Sequence, residues 1–167
     1  MSRLLLPMSM LSLLSIGAIF GFFYAWICST MWGLDATDPR IAITAMQAMN
    51  ASVRNPVFFP AFFLTPIILA ATSYIAFTQQ RRRSTVLFGM AASAYFVGAL
   101  LVTATVNVPM NQALAEVAVP TDIDVARAIW QDYSRSWQFW NTLRTLVSGA
   151  SLLLTGLAIY LIEKDVA

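Results

Sequence analysis

The side chains of this sequence that are best suited to chemistry lie in one stretch, WQDYSRSWQFWNTLR, from Trp130 to Arg144. If this stretch is one helix, residues three or four positions apart share a face. That face carries Trp130, Tyr133 or Ser134, Trp137, Asn141 and Arg144. The next charged residue is Glu163, so the guanidinium stands just inside an apolar run. A guanidinium stays charged and has five donors, so at this depth it needs acceptors or water and usually faces a bundle interior. The alternative is an aromatic belt at the membrane interface, with an arginine that snorkels to water.

Two groups of amide side chains elsewhere in the chain are candidate partners for Arg144. Asn107 and Asn111 stand in the segment NVPMN, where they either line the mouth of a cavity or simply mark a helix exit. A short amphipathic helix carries a polar stripe at i, i+3 and i+7, made of Gln47, Asn50 and Arg54. That helix either keeps its polar face in water or turns Gln47 and Asn50 inward over a pocket. We predict that Arg144 points inward and pairs with Asn107, Asn111 or the Gln47–Asn50 face.

Composition excludes several classes of site. The chain has no histidine and one cysteine, Cys28, and its carboxylates are scattered, so no metal or haem spacing is present. We therefore expect no cofactor and no bound metal. A net charge of +2 is too small and too dispersed for a nucleic-acid surface. A convincing general base is also missing. Asp132 lies about 140° around the helix from Trp137, and Glu116 reaches the site only if its loop folds inward.

The elements that must position these residues are membrane-spanning helices. Of the 167 residues, 59% are hydrophobic and 11% are charged, and the mean hydropathy is +0.70. Soluble domains carry about 25% charged residues. Apolar runs long enough to cross a bilayer predict four spans, at about 8–34, 56–78, 84–106 and 142–162. Amphipathic patterns predict helices in two connections, at about 40–54 and 122–141. The predicted fold is an all-α, integral membrane four-helix bundle forming one domain over residues 1–167.

Charge asymmetry predicts how the spans are oriented. Arg3, Arg81–Arg83 and Lys164 fall on one side of the predicted bundle, whereas every carboxylate except Glu163 and Asp165 falls on the other. Because short basic loops stay in the cytoplasm, both termini are predicted to be cytoplasmic and both amphipathic connections to lie outside the inner (cytoplasmic) membrane. The first apolar run is too long for the apolar part of a signal peptide, so we expect it to be a retained span.

Three motifs together resemble those of the anthrone oxygenase family. They are AMQAMNASVRNPVFF (Ala45–Phe59), NVPMN after the third span, and WQFWNTLRTL (Trp137–Leu146). Their order and their placement relative to four spans are similar as well. The resemblance implies a small four-span membrane protein. Characterised members of that family oxidise anthrones to anthraquinones with O2 and with no evident metal or flavin, so the resemblance also implies a cofactor-free oxygenase.

The resemblance leads to a first hypothesis, a cofactor-independent oxygenase acting on an apolar anthrone, phenolic or quinol-like substrate. An anthrone yields an electron-rich enolate that can itself give an electron to O2, so the protein need only bind and favour the anion. Arg144 would stabilise the oxyanion, with hydrogen bonds from Asn141, Asn107 and Asn111. Stacking walls would come from Trp137, Trp140 and Trp130, and further substrate contacts from Gln47, Asn50 and Arg54.

A second hypothesis is non-enzymatic: a structural or lipid-binding accessory subunit in which the same cluster holds the outer helices on the bundle or cradles a lipid headgroup. The lack of histidine and of a clear base favours it. Under either hypothesis the expected partners are the bilayer and an apolar small molecule or lipid, together with further copies of the chain or a larger membrane complex. A transporter or channel is disfavoured, because no span carries a charge at its middle.

Overall fold

The computed structural model describes residues 4–164, and this part of the chain is helical almost throughout and contains no strand. Arg3 and Asp165, which contribute to the predicted orientation, lie outside the described residues. Five helices follow one another within these described residues: α1 (Leu5–Asp35), α2 (Pro39–Ser52), α3 (Phe58–Thr78), α4 (Arg82–Ala115) and α5 (Ile123–Leu161). Within the described residues, all but α2 are long and apolar enough to cross a membrane. The predicted all-α architecture with four spans is confirmed, and the chain is a multi-pass membrane protein.

The four long helices form a ring in which each packs against two others. α1 contacts α3 and α5, and α4 contacts the same two helices, while helices on opposite corners of the ring do not meet within residues 4–164. α2 packs against α5, α4 and the end of α1, so it lies across one end of the bundle. Small residues allow close approach between neighbours: a Cβ at Gly98 of α4 would stand 2.7 Å from Val147 Cγ1 of α5.

Three of the long helices are much longer than a membrane is thick. α1, α4 and α5 have 31, 34 and 39 residues, which correspond to about 46–58 Å at 1.5 Å per residue. The hydrocarbon core is about 30 Å thick, so these helices have room to project beyond it. α5 covers both the predicted outer helix at 122–141 and the predicted span at 142–162 without interruption. α4 likewise runs through NVPMN to Ala115, so Asn107 and Asn111 lie inside a helix and do not mark its exit.

Carboxylate caps begin the two helices at the α2 end. Asp38 Oδ1 accepts a hydrogen bond from the backbone N–H of Arg40 at 2.9 Å, and Pro39 follows at the first helical position of α2. The Arg40 side chain also donates to this carboxylate, and together these bonds lower the pKa of Asp38 to about 2. Asp122 caps α5 in the same way, and its backbone hydrogen bonds lower its pKa. These caps explain why each helix starts where the sequence pattern predicts.

π-helical turns interrupt α1 and α4 near the α2 end of the bundle. They comprise Trp26–Thr30 in α1, and Phe96–Leu101 and Thr103–Asn107 in α4. Such wide turns are rare and recur at functional sites. In α3, Pro66 lacks the N–H that would bond the carbonyl of Phe62. The Tyr95 hydroxyl of α4 donates to that carbonyl at 2.9 Å instead, which ties α3 to α4 at this level.

Candidate functional site

A cavity of about 350 Å³ lies inside the ring at its α2 end. One part of its wall is aromatic and is formed mainly by Phe22, Phe23, Trp26, Phe58, Phe62 and Trp137. The other part is polar and is formed by Asn50, Arg54, Thr103, Asn107, Asn111, Gln112, Asn141 and Arg144. All five helices contribute, so the cavity exists only in the assembled bundle. A largely apolar cavity of this size with a few convergent polar groups is typical of a small-molecule site.

Arg144 lies at the buried side of this cavity, with 4% of its surface exposed. Its Nη1 donates to Thr103 Oγ1 at 3.0 Å, and its Nη2 donates to Asn141 Oδ1 at 3.1 Å. The guanidinium also stands over two aromatic rings, 4.6 Å from the ring centre of Phe23 and 5.5 Å from that of Trp137. Arg144 therefore points inward. Its hydrogen-bond partners differ from those predicted, because Thr103, inside the third span, reaches it and the Asn107, Asn111 and Gln47–Asn50 groups do not.

Asn141 fixes the orientation of this arginine. Its Nδ2 donates to the backbone carbonyl of Phe23 at 3.1 Å, which leaves Oδ1 as an acceptor for the guanidinium. The amide is 1% exposed, and both of its polar ends are satisfied. Asn141 thus joins α5 to α1 and holds Arg144 in the cavity wall.

Four buried polar atoms in the cavity wall have no hydrogen-bond partner within the described structure. They are Nδ2 and Oδ1 of Asn107, Nε1 of Trp137 and Nε of Arg144. Asn107 is only 1% exposed, so its amide is shielded from bulk water. Even so, neither end of the amide makes a hydrogen bond within the described structure. An unsatisfied buried polar group costs about 1–3 kcal/mol. All three residues line the cavity, and their free atoms are mostly N–H donors. The arrangement suits a ligand that presents an oxygen acceptor.

The amides of α2 are turned inward, as one of the two interpretations of that helix required. Asn50 Nδ2 donates to the hydroxyl of Tyr133 at 3.2 Å, and that hydroxyl donates to Asn111 Oδ1 at 2.8 Å. Gln47 Nε2 donates to the carbonyls of Leu114 and Val117, at 2.8 and 2.9 Å. Asn50 and Asn111 reach the cavity, whereas Gln47 lies outside its lining and ties α2 to the end of α4.

Several predicted site residues lie away from the cavity or at its rim. Trp130 is buried beneath α2, where its Nε1 donates to Asp35 Oδ1 at 2.9 Å. Trp140 is half-buried, packs edge-to-face on Phe139 and does not line the cavity. Arg54 lines the cavity but is exposed, so it stands at the rim. Of the three predicted stacking residues, the structure brings Trp137 to the cavity and places Trp130 and Trp140 elsewhere.

The sequence reasoning missed three parts of this region. Thr103 stands four residues before Asn107, a helical spacing that relates the two. Tyr133 lies on the noted face of α5 and bridges two amides, and only its partners reveal that role. Asp35 ends α1 and accepts hydrogen bonds from Trp130, Ser134 and Gln138. No sequence signal joins Asp35 to α5 across about a hundred residues.

The charge of the cavity wall is entirely positive in the part of the chain that the structure describes. Among residues 4–164, two arginines, Arg54 and Arg144, line the cavity, and no carboxylate does. The two carboxylates considered as bases, Glu116 and Asp132, are exposed on the surface. The site can therefore hold an anion beside Arg144 and stack it on aromatic rings, but its wall supplies no carboxylate to accept a proton.

Comparison with known proteins identifies the family. The model of a family described as anthrone oxygenase matches residues 49–154, from the end of α2 into the second half of α5. The matched region contains Asn50, Asn107, Asn111, Asn141 and Arg144. Searches of curated proteins and of solved structures found no match. With almost two thirds of its length covered by that family model, the chain belongs to the anthrone oxygenase family.

Proposed function

We propose that this protein is a membrane-embedded, oxygenase-like enzyme that binds the enolate or phenolate form of a flat aromatic substrate. The substrate class is anthrones, phenols or quinols, and the reaction with O2 uses no cofactor. One observation carries the proposal: Arg144 and the unpartnered amide of Asn107 stand together in an aromatic cavity of about 350 Å³. Membership of the anthrone oxygenase family supports the same reaction class.

The electrostatics of the cavity favour an anionic ligand. Arg144 is buried and hydrogen-bonds two neutral groups, the hydroxyl of Thr103 and the amide of Asn141. A buried charge is stabilised when an opposite charge and further hydrogen bonds accompany it. An enolate oxygen supplies the charge, and it can accept from Arg144 Nε, Asn107 Nδ2 or Trp137 Nε1, which have no other partner in the described structure. The aromatic rings of Phe23, Phe62 and Trp137 suit the flat body of such a ligand.

This binding mode is sufficient for the chemistry. Stabilising the oxyanion lowers the pKa of the bound substrate, which increases the fraction present as the electron-rich enolate. The enolate gives electrons to O2, and the reaction ends when an anthrone CH2 group has become a carbonyl and one molecule of water has been released. Because no carboxylate of the described chain lines the cavity, the substrate proton leaves to water at the exposed rim near Arg54 and Gln112. Arg144 and Asn107 act here as electrostatic groups.

The missing base favours one alternative, a non-enzymatic binder of the same ligand class or of a lipid headgroup. In that case the cavity would hold the anion beside Arg144 without any reaction with O2. The two functions share their binding residues and differ only in turnover. One experiment on the purified protein therefore separates them.

The test combines O2 uptake with quinone absorbance for protein in lipid nanodiscs supplied with a hydroxyanthrone. We expect turnover above the spontaneous rate, and we expect it to survive chelation of metals. Arg144→Lys keeps the positive charge but replaces the planar guanidinium, with its several N–H donors, by an ammonium group. It should therefore reduce turnover by about tenfold or more, in line with removal of a donor to an oxyanion. Arg135→Lys is the matched control, since Arg135 is exposed on the same helix and outside the cavity.

Three outcomes decide between the functions. Turnover that depends on Arg144 and not on Arg135 supports the oxygenase. Saturable binding that depends on Arg144, with no oxidation above the spontaneous rate, supports the non-enzymatic binder. A folded Arg144→Lys variant with unchanged binding and turnover contradicts both.

A further inference from the structure

A second cavity of about 620 Å³ opens between α1 and α3 and adjoins the site. The two cavities share five wall residues, which are Phe22, Trp26, Met49, Val53 and Phe58. Because α1 and α3 are neighbours in the ring, the cleft between them opens on the outside of the bundle. We call it the α1–α3 cleft.

The position of the cleft places it against the bilayer. α3 has 21 residues and is about 31 Å long, close to the thickness of a hydrocarbon core. The cleft begins at the first turn of α3, beside Phe58 and Ala61. A hydrogen bond between the hydroxyls of Ser12 and Thr72, 2.8 Å apart, sets the antiparallel register of α1 and α3. In that register Ala18, the deepest cleft residue on α1, lies opposite the second to third turn of α3, well inside the apolar layer.

The chemistry of the cleft selects an uncharged aromatic molecule. Among the described residues its lining contains no charged side chain, and its polar side chains are Ser52 and Asn55 near the rim. Two half-buried rings, Phe22 and Phe58, separate the cleft from the site, with their centres 4.7 Å apart. Beyond them the ring of Trp26 packs at a tilt against that of Trp137, with their centres 4.9 Å apart, and the Trp137 ring lies 5.5 Å from the guanidinium of Arg144. An unbroken aromatic surface therefore leads from the bilayer to the buried cation.

We propose that the α1–α3 cleft is the entrance through which the neutral, protonated form of the substrate passes from the bilayer into the site. This inference rests on the proposed function, because it takes the same ligand class. The neutral form partitions into lipid and enters the site when the Phe22 and Phe58 rings turn apart. It ionises only where Arg144 can stabilise its oxyanion. A ligand with a fixed charge does not use this route, because its charge would have to leave water with no partner in the cleft.

The test measures the rates of binding in nanodiscs, with a monohydroxyanthraquinone as a probe that binds without being oxidised. Quenching of tryptophan fluorescence in stopped flow gives the association and dissociation rates, and titration gives Kd. Ala18→Phe and Ala61→Phe narrow the cleft from two different helices, and neither residue lines the site. Ala70→Phe, at an exposed position of α3 outside both cavities, is the control.

A barrier on the route that the probe takes slows entry and exit by the same factor and leaves the equilibrium unchanged. We therefore expect each cleft variant to lower the association rate and the dissociation rate by about tenfold, with an unchanged Kd. Packing damage at the site would instead change the two rates by different factors and so alter Kd. Ala70→Phe should leave both rates and Kd as in the wild type. The two cleft variants act independently, so one poorly folded variant does not remove the test.

The failures of the two proposals are distinguishable. If Kd depends on Arg144 but both cleft variants bind at wild-type rates, the cleft is not the entrance, and the proposed function stands. A weaker Kd with an unchanged association rate would mean that the added rings disturb the site, and this also contradicts the entrance. If the probe shows no saturable binding to the wild-type protein, both proposals fall together.

Discussion

The guanidinium of Arg144 contacts only neutral groups in the part of the chain that the structure describes. Thr103 and Asn141 accept its hydrogen bonds, and the rings of Phe23 and Trp137 cover its faces. This arrangement orients the charge but does not neutralise it. Beside it Asn107 keeps both ends of its amide unpaired. At the scale of single residues, an anionic ligand would supply the charge and the hydrogen-bond acceptor that these groups lack, so its binding should raise the thermal stability of the protein.

Asn107 and Asn141 should respond in opposite ways to the same substitution. Asn107→Leu replaces an unsatisfied buried amide by an apolar group of similar size, so the free energy of unfolding should stay the same or rise by up to about 1–3 kcal/mol. Ligand affinity should fall about tenfold. Asn141→Leu removes an amide that bonds Phe23 and Arg144, so it should lower stability. Thermal unfolding in detergent, with and without a hydroxyanthraquinone, measures both effects. A marked loss of stability in Asn107→Leu would show that its amide is satisfied in the folded protein.

At the scale of elements, α2 covers the cavity at one end of the bundle. Its apolar face, including Ile43 and Met46, is fully buried against the neighbouring helices. Its polar face reaches α4 and α5 through Gln47 and Asn50. α2 has 14 residues, a length that is marginal for an isolated helix in water. Its position therefore depends on these tertiary contacts.

Gln47→Ala should weaken the attachment of α2 to the end of α4. The substitution leaves the carbonyls of Leu114 and Val117 without their side-chain donor. We expect a loss of about 1–3 kcal/mol in the free energy of unfolding and faster backbone hydrogen exchange across residues 39–52. Thr44→Ala is the control, because Thr44 is exposed and bonds only within α2. Equal exchange in the two variants would mean that the Gln47 contacts do not hold α2 in place.

At the scale of the whole molecule, the two ends of the bundle differ in charge. The basic loop around Arg81–Arg83 lies at the end opposite α2, where α3 and α4 meet. The α2 end carries carboxylates, among them Asp35, Asp38 and Asp122. We propose that the basic end faces the cytoplasm and the α2 end the outside, because short basic loops are retained in the cytoplasm.

Cysteine labelling with a membrane-impermeant reagent tests this orientation in a background with Cys28 replaced. Asp124→Cys lies at the α2 end, where the Asp124 side chain is 80% exposed, and it should be labelled in intact cells. Arg82→Cys should be labelled only after the cells are opened. The reverse pattern would invert the proposed topology. Labelling of both positions in opened cells controls for accessibility.

The sequence alone was sufficient to predict a membrane protein with four spans. It was also sufficient to predict that Arg144, the most unusual side chain, points inward. Apolar runs separated by amphipathic segments predicted four spans, because hydrophobic periodicity and length act locally along the chain. The same periodicity predicted that Trp137, Asn141 and Arg144 share an inward face. A charge deep in an apolar run has few stable positions, so the inward burial of Arg144 follows from energetics.

Only the tertiary structure decided which residues meet Arg144 and which path leads to it. Helical periodicity defines a face of one helix, but partners on other helices depend on register and on local irregularities. The π-helical turns of α4 lie where Thr103 and Asn107 reach the cavity, and no sequence pattern indicated them. The same limit explains why Trp130 and Trp140, on the same helix as Trp137, lie outside the cavity. The α1–α3 cleft is likewise a product of packing, since its walls come from three helices that share no local sequence signal.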